Sequence, residues 1–161
     1  MRIKNLFIIA IIAQLLSCSN SKKIAGTGPI AKEDEALFTL VQKQTLNYFM
    51  EGAEPVSGLA RERFHADNIY PYNDKNIITS GGGGFGVMAI LVGIERGFIT
   101  REEGLKQLEK IVHFLETADR FHGVWPHWWN GETGKVKPFS RRDDGGDLVE
   151  SSFMIQGLLC V

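Results

Sequence analysis

The sequence predicts an all-α fold, an α/α toroid in which outer helices alternate with inner ones. Three observations point to it. Four segments carry a helical apolar period, and they alternate between one-sided and apolar nearly all round. Only Gly97 to Thr100 links the second segment to the third, whereas a long loop leads into each all-round segment. The chain also stops inside an apolar helical run, at Cys160-Val161, with no cap and no charged last turn. A one-sided helix covers a core, and a helix apolar all round must be enclosed by others, so the alternation implies two concentric layers. Four helices cannot close such a ring, and a truncated, N-terminal part of a longer toroid is expected.

Each element has its own signal. The first helix is predicted from Glu33 to about Glu51, with Leu37, Leu40, Val41 and Tyr48 as its apolar stripe. The second runs from Phe85 to Arg96, "FGVMAILVGIER", apolar on almost every side. The glycine run Gly81–Gly84 ahead of it is read as a tight turn into Phe85. It is no phosphate cradle, because no Lys-Ser/Thr follows and no strand clearly precedes. The third helix spans Arg101 to Ala118. Thr100 and Glu103 form its capping box, and Leu105, Leu108, Ile111, Val112 and Leu115 form one face. The fourth starts near Asp147 and continues to the end of the chain, with Asp147 and Glu150 spaced as a second capping box.

Ahead of the helices, "MRIKNLFIIAIIAQLLSCSN" has a basic start at Arg2 and Lys4 and an apolar stretch from Leu6 to Leu16. That stretch is too short to span a bilayer as a helix. Leu15-Leu16-Ser17-Cys18 resembles a bacterial lipobox. Residues 1–17 are therefore expected to be a lipoprotein signal peptide and Cys18 the lipidated first mature residue. Ser19 after it favours the outer membrane over an inner one, so the expected location is the cell envelope. Residues 18–32 read as a flexible tether, and 33–161 as the folded domain. The other cysteine, Cys160, lies in an apolar run and reads as a small core residue; no disulfide framework is expected.

A net charge of -1 and the absence of a basic stripe give no reason to expect a nucleic-acid partner. The two long loops, Gly52 to Gly84 and Asp119 to Gly146, enter the inner helices at the same end of the layered bundle, and the site is expected there. The second loop holds all three tryptophans, Trp125, Trp128 and Trp129, with Phe121 and Phe139. Flat apolar rings can cover the C–H face of a sugar while an indole N–H finds a polar partner. Trp125, Trp129, Phe139 and His127 are the candidate substrate contacts, against the alternative of a loop packing on its own domain. His127 is also a candidate general acid or base. With His65, His113 and His122 it forms no zinc-ligand spacing. In the first loop Arg61, Glu62, Arg63 and Asp67 are candidates for polar contacts to a hydroxylated ligand, Arg61 and Arg63 foremost; a plain charged loop face is the alternative.

The acidic cluster "RRDDGGDLVESSF" bears the chemistry. A helix cap explains Asp147 and Glu150 but not Asp143 and Asp144, and the spacing misses the register of a calcium loop. Glycoside hydrolysis needs one protonated and one ionised carboxyl flanking the scissile oxygen. Asp147 and Glu150, three apart at a helix start, lie on one side of it. Repulsion between them and the pull of the helix N-terminus are expected to drive their pKa values apart. No metal and no cofactor is required for that chemistry.

The stretches "GGFGVMAILVGIERGFITREEGL", "HGVWPHWWNGETGKVKPFS" and "DDGGDLVESSFMIQGLL", in that order, resemble the bacterial glucoamylase-like domain family, which includes endo-β-1,2-glucanases of glycoside hydrolase family 144. The resemblance runs from about residue 33 to the end. It implies an (α/α)6 toroid and inverting hydrolysis of a β-linked glucan oligo- or polysaccharide. Through "DDGGDLVE" it implies Asp143, Asp147 and Glu150 as the acidic catalytic positions, with a further family carboxylate beyond Val161. The alternative is a surface lipoprotein that holds a glycan without cleaving it.

Overall fold

The computed structural model describes residues 31–161; the expected signal peptide, Cys18 and the expected tether as far as residue 30 lie outside the described residues. The chain divides into two units, the first ending at Ala36 and the second Leu37–Val161. Of the first, only the opening of helix α1 is described. The elements in order are α1 (Lys32–Met50), β1 (Ile77–Thr79), α2 (Ser80–Glu95), α3 (Arg101–Thr117), β2 (Trp128–Asn130) and α4 (Leu148–Leu158). The protein is mostly helical, as predicted, and among the described residues no helix is long and apolar enough to cross a membrane.

Helix α3 follows its signals most closely. Thr100 Oγ1 accepts the Glu103 N–H at 3.1 Å, and the Glu103 carboxylate accepts the Thr100 N–H at 2.7 Å, so the capping box closes on both sides. The Thr100 backbone N–H, followed by its hydroxyl, holds the Glu103 carboxyl below its ordinary pKa. The buried face is rotated from the expected one. Gly104, Leu108, Ile111, Phe114 and Leu115 point inward, while Leu105 and Val112 are exposed. Gly104 explains the rotation, because its missing side chain admits Ile94 of α2.

Helix α1 departs further. Of its predicted stripe Leu37, Leu40 and Val41 are exposed and Tyr48 is half-buried, and burial begins only in the last turns, at Leu46. There Leu46 fills the space left by Gly93, and Phe49 that left by Gly86, so α1 lies against the glycine face of α2.

Helix α2 starts at Ser80, not Phe85. The glycines are its first turns, and the N-cap is Thr79, whose Oγ1 accepts the Gly82 N–H at 3.0 Å. Four glycines in a helix carry a cost of about 1 kcal/mol each relative to alanine. Contact accounts for it. A Cβ on Gly84 would lie 2.2 Å from the carbonyl oxygen of Phe153, and one on Gly157 2.3 Å from that of Gly84. The two inner helices, α2 and α4, therefore cross backbone on backbone.

Around that crossing lies the core: Leu59, Ile78, Val87, Ile90, Leu108, Ile111, Phe114, Leu115, Ala118, Trp129 and Met154. Among the described residues α4 is covered on one side only, by way of Ser151, Met154 and Gly157. Leu148, Val149, Ile155 and Leu159 are exposed, and so is Cys160, which is not the core residue its neighbours suggested.

The two long loops meet as expected, through a sheet that no sequence signal announced. Strands β1 and β2 pair antiparallel, with Ile77, Ile78 and Thr79 opposite Asn130, Trp129 and Trp128. The Ser80 N–H then bonds His127 O at 3.1 Å, and its hydroxyl donates to Pro126 O at 2.7 Å. The start of α2 is thus fixed to the stretch that carries His127.

Candidate active site

The site assembles where α2 and α4 begin. Asp147 is the N-cap of α4, its Oδ1 accepting the N–H groups of Val149 at 2.9 Å and Glu150 at 3.0 Å. A full capping box would return the Glu150 side chain to the Asp147 N–H. That N–H is taken instead by Trp125 O at 2.8 Å, so only half of the box forms. Glu150 turns across to α2, where Oε2 accepts the Gly81 N–H at 2.9 Å. The first N–H groups of a helix have no partner within it, and here one of them orients a carboxylate from another helix. Gly81 has to be glycine for this approach, since a Cβ there would stand 2.4 Å from Oε2.

His127 stands between the two carboxylates. Its Nδ1 lies 3.4 Å from Asp147 Oδ2 and its Nε2 3.7 Å from Glu150 Oε2. All three side chains are partly open to solvent, 30% for His127 and Asp147 and 19% for Glu150. Rings hold the imidazole in plane: it stacks on Trp128 at 3.5 Å and 10°, and Trp128 stacks on Phe139 at 4.8 Å and 29°. This ladder runs from the carboxylates to a groove of about 530 Å³ lined by Arg63, Tyr72, Trp128, Lys137 and Phe139, among others.

Trp125 braces the other side. Its N–H donates to Ser151 Oγ at 2.9 Å, and the Ser151 hydroxyl donates back to Trp125 O at 3.1 Å. The indole N–H groups of Trp125 and Trp128 are buried and have no hydrogen-bond partner among the described residues. Asp119 fastens the base of the loop, accepting the Val136 N–H at 3.0 Å and Lys135 Nζ at 2.9 Å. The Val136 N–H first, then Lys135, lowers its carboxyl below the ordinary value.

Asp147, Glu150, His127 and, through the ladder, Phe139 come together, with Trp125 alongside. Arg63 reaches the groove wall, where it pairs with Asp74 at 3.4 Å and Glu62 at 3.7 Å. Two expectations need correction. Trp129 is 0% exposed, edge-on to Phe114 and Trp125, with its indole N–H donated to Asp119 O at 3.2 Å. It is core, not groove. Arg61 is buried as well, giving Nε to Lys75 O and Nη1 to Gly52 O and Ala53 O, so its donors tie the first loop together. Asp143 sits in a turn closed by Asp143 N to Ser140 O and Phe139 N to Asp143 O. Its carboxylate makes no hydrogen bond or ion pair with His127, Asp147 or Glu150.

Sequence reasoning missed Trp128 and Gly81. Neighbouring residues of a strand point to opposite faces, so of two adjacent tryptophans in β2 only one can face the groove. The Trp128-Trp129 pair ahead of the Asn130-Gly131 turn carried that signal.

No protein-family model matches the chain. It is 51% identical over 145 residues, 89% of its own length, to the exo β-1,2-glucooligosaccharide sophorohydrolase (non-reducing end) of Parabacteroides distasonis, of which it spans 19%. Among solved structures it is 70% identical to the endo-β-1,2-glucanase of Chitinophaga pinensis, with a TM-score of 0.77 over 79% of this chain and 30% of that one. With the β-1,2-glucanase of Parabacteroides distasonis the identity is 51% and the TM-score 0.71, over 81% of this chain and 18% of that one. The chain thus spans less than a third of the length of each of these relatives. Paired inner helices under a rim of loops make it part of an α/α toroid. The proteins it resembles, at 51–70% identity, are glucoamylase-like proteins and endo-β-1,2-glucanases of glycoside hydrolase family 144.

Proposed function

We propose that residues 33–161 contribute one side of the catalytic cleft of a glycoside hydrolase acting on β-linked glucan, with β-1,2-glucan the foremost substrate. The observation that carries this reading is the convergence of Asp147 and Glu150 on His127 at the end of an aromatic ladder. Carboxyl groups of this kind protonate the departing oxygen and activate water, and flat rings hold the sugar face beside them. Inversion of the anomeric centre is the course we favour, with Asp147 and Glu150 as acidic participants. Asp143 is a third, on the strength of the family motif alone.

In the whole protein Glu150→Gln and Asp147→Asn are each expected to lower hydrolysis of β-1,2-glucan by at least about a hundredfold. Retention on the polymer should persist. Release of reducing ends measures the first and affinity electrophoresis the second. Wild-type rates in both variants would remove the carboxylates from the mechanism, and binding without product in the unaltered protein would make it a glycan-holding protein.

We place the protein at the outer membrane through lipidated Cys18, a reading supported by the lipobox pattern. Cys18→Ser should move it from the membrane fraction to the soluble one; unchanged fractionation would count against the anchor.

A further inference from the structure

We infer that His127 is a positioning residue that bridges Asp147 and Glu150 and sets their separation. The inference rests on the proposed hydrolysis and adds to it a role for a residue that the sequence suggested only as a substrate contact or a general acid or base. Its two nitrogens face different carboxylates, Nδ1 towards Asp147 Oδ2 at 3.4 Å and Nε2 towards Glu150 Oε2 at 3.7 Å. Each carboxylate already has another partner. Asp147 Oδ1 is committed to the first turn of α4, and Glu150 Oε2 to the Gly81 N–H of α2. Among the described residues the imidazole is the one side chain in ion-pair range of both, and it spans groups anchored to two different helices. Its plane is set by the stack on Trp128, and its main chain by the Ser80 N–H bond to His127 O. Separations of 3.4 and 3.7 Å are loose for hydrogen bonds, and such contacts commonly shorten when substrate excludes water.

The bridge separates two properties that one substitution can dissect. Phenylalanine at 127 keeps the stack on Trp128 and removes both nitrogens; glutamine and asparagine return a donor near Nε2 or Nδ1 respectively. In the whole protein acting on β-1,2-glucan, His127→Phe should lower kcat between about tenfold and a hundredfold, the range expected when reacting groups lose alignment. KM should stay within about twofold, because no substrate contact is lost. His127→Gln and His127→Asn should each recover part of kcat, and their ratio tells which carboxylate depends more on the bridge. A merely structural histidine would lower the melting temperature in all three variants and show no such recovery.

Wild-type kcat in His127→Phe would overturn the inference. So would a rise in KM at unchanged kcat, which marks a substrate contact, or Gln and Asn variants no faster than Phe. Should His127→Phe fail to fold, the Gln and Asn variants decide alone, and full kcat in both with loss of melting temperature overturns the bridge. Absence of hydrolysis by the unaltered protein, or full activity in Glu150→Gln, removes the underlying reaction and this inference with it. Activity lost in Glu150→Gln but intact in His127→Phe removes the inference only.

Discussion

Glu150 occupies a point where two helices begin, and its geometry depends on an atom that is missing. A Cβ at Gly81 would come within 2.4 Å of Oε2, so no other residue leaves both the carboxylate and its N–H donor in place. Gly81→Ala tests this with opposed signs. Alanine in a helix gains up to about 1 kcal/mol over glycine, so the melting temperature should hold or rise. Turnover should nevertheless fall by about tenfold or more, because the carboxylate is pushed from its position. Steady-state kinetics and a thermal melt on the same preparation read the two effects, and unchanged turnover would show that Glu150 tolerates displacement. Tyr48 illustrates the same dependence on surroundings. Its hydroxyl donates to Arg61 O, and burial, with Glu62 and Tyr70 adding to it, raises its pKa above the ordinary value.

At the scale of elements the α2–α4 crossing has no room for a side chain. Gly84→Ala would set a methyl against the Phe153 carbonyl, and forcing extra bulk into a packed contact costs about 1–3 kcal/mol, with the upper end expected against backbone. Urea unfolding of the whole protein should show the midpoint lowered with the slope unchanged. A midpoint equal to wild type would mean that the helices part freely. The helices were legible in the sequence because a 3.6-residue period needs only a long enough window, and the caps at Thr100 and Asp147 marked two starts. The start of α2 was not legible, since a glycine run means a turn by propensity and a helix only once α4 is known to lie on it. The strands escaped for a simpler reason: three residues are too few to display an alternation. That gap also misassigned Trp129, because strand pairing decides which ring of a Trp-Trp pair turns inward. Arg61 was misread on other grounds. A sequence shows a charge but not the backbone carbonyls that will surround it. The Asp147–Glu150 pair was visible as spacing, whereas the Gly81 contact joins residues 69 apart and no local pattern encodes it.

The molecule as a whole leaves its inner helices half dressed. Leu148 is 75% exposed and Leu159 81%, and Phe85 of α2 rests against Phe153 of α4 with both rings open to solvent. Apolar side chains exposed along both inner helices are suited to lie against other protein. Residues 31–161 produced alone should therefore bind a hydrophobic dye and melt without a sharp transition, where the whole protein melts cooperatively. Calorimetry and dye fluorescence distinguish the cases, and a cooperative melt of the short chain would show that one covered side suffices. The stitching of Trp125 to α4, through both polar atoms of its main chain, bears on how such a cleft diversifies. On the proposed reading one bank holds both the ring ladder and the acids, so altering its grip on a sugar also disturbs the cutting edge. The opposite bank, with Arg63 and Tyr72, carries neither Asp147 nor Glu150. Taste for a differently linked polymer is thus expected to evolve on the far bank, leaving the blade untouched.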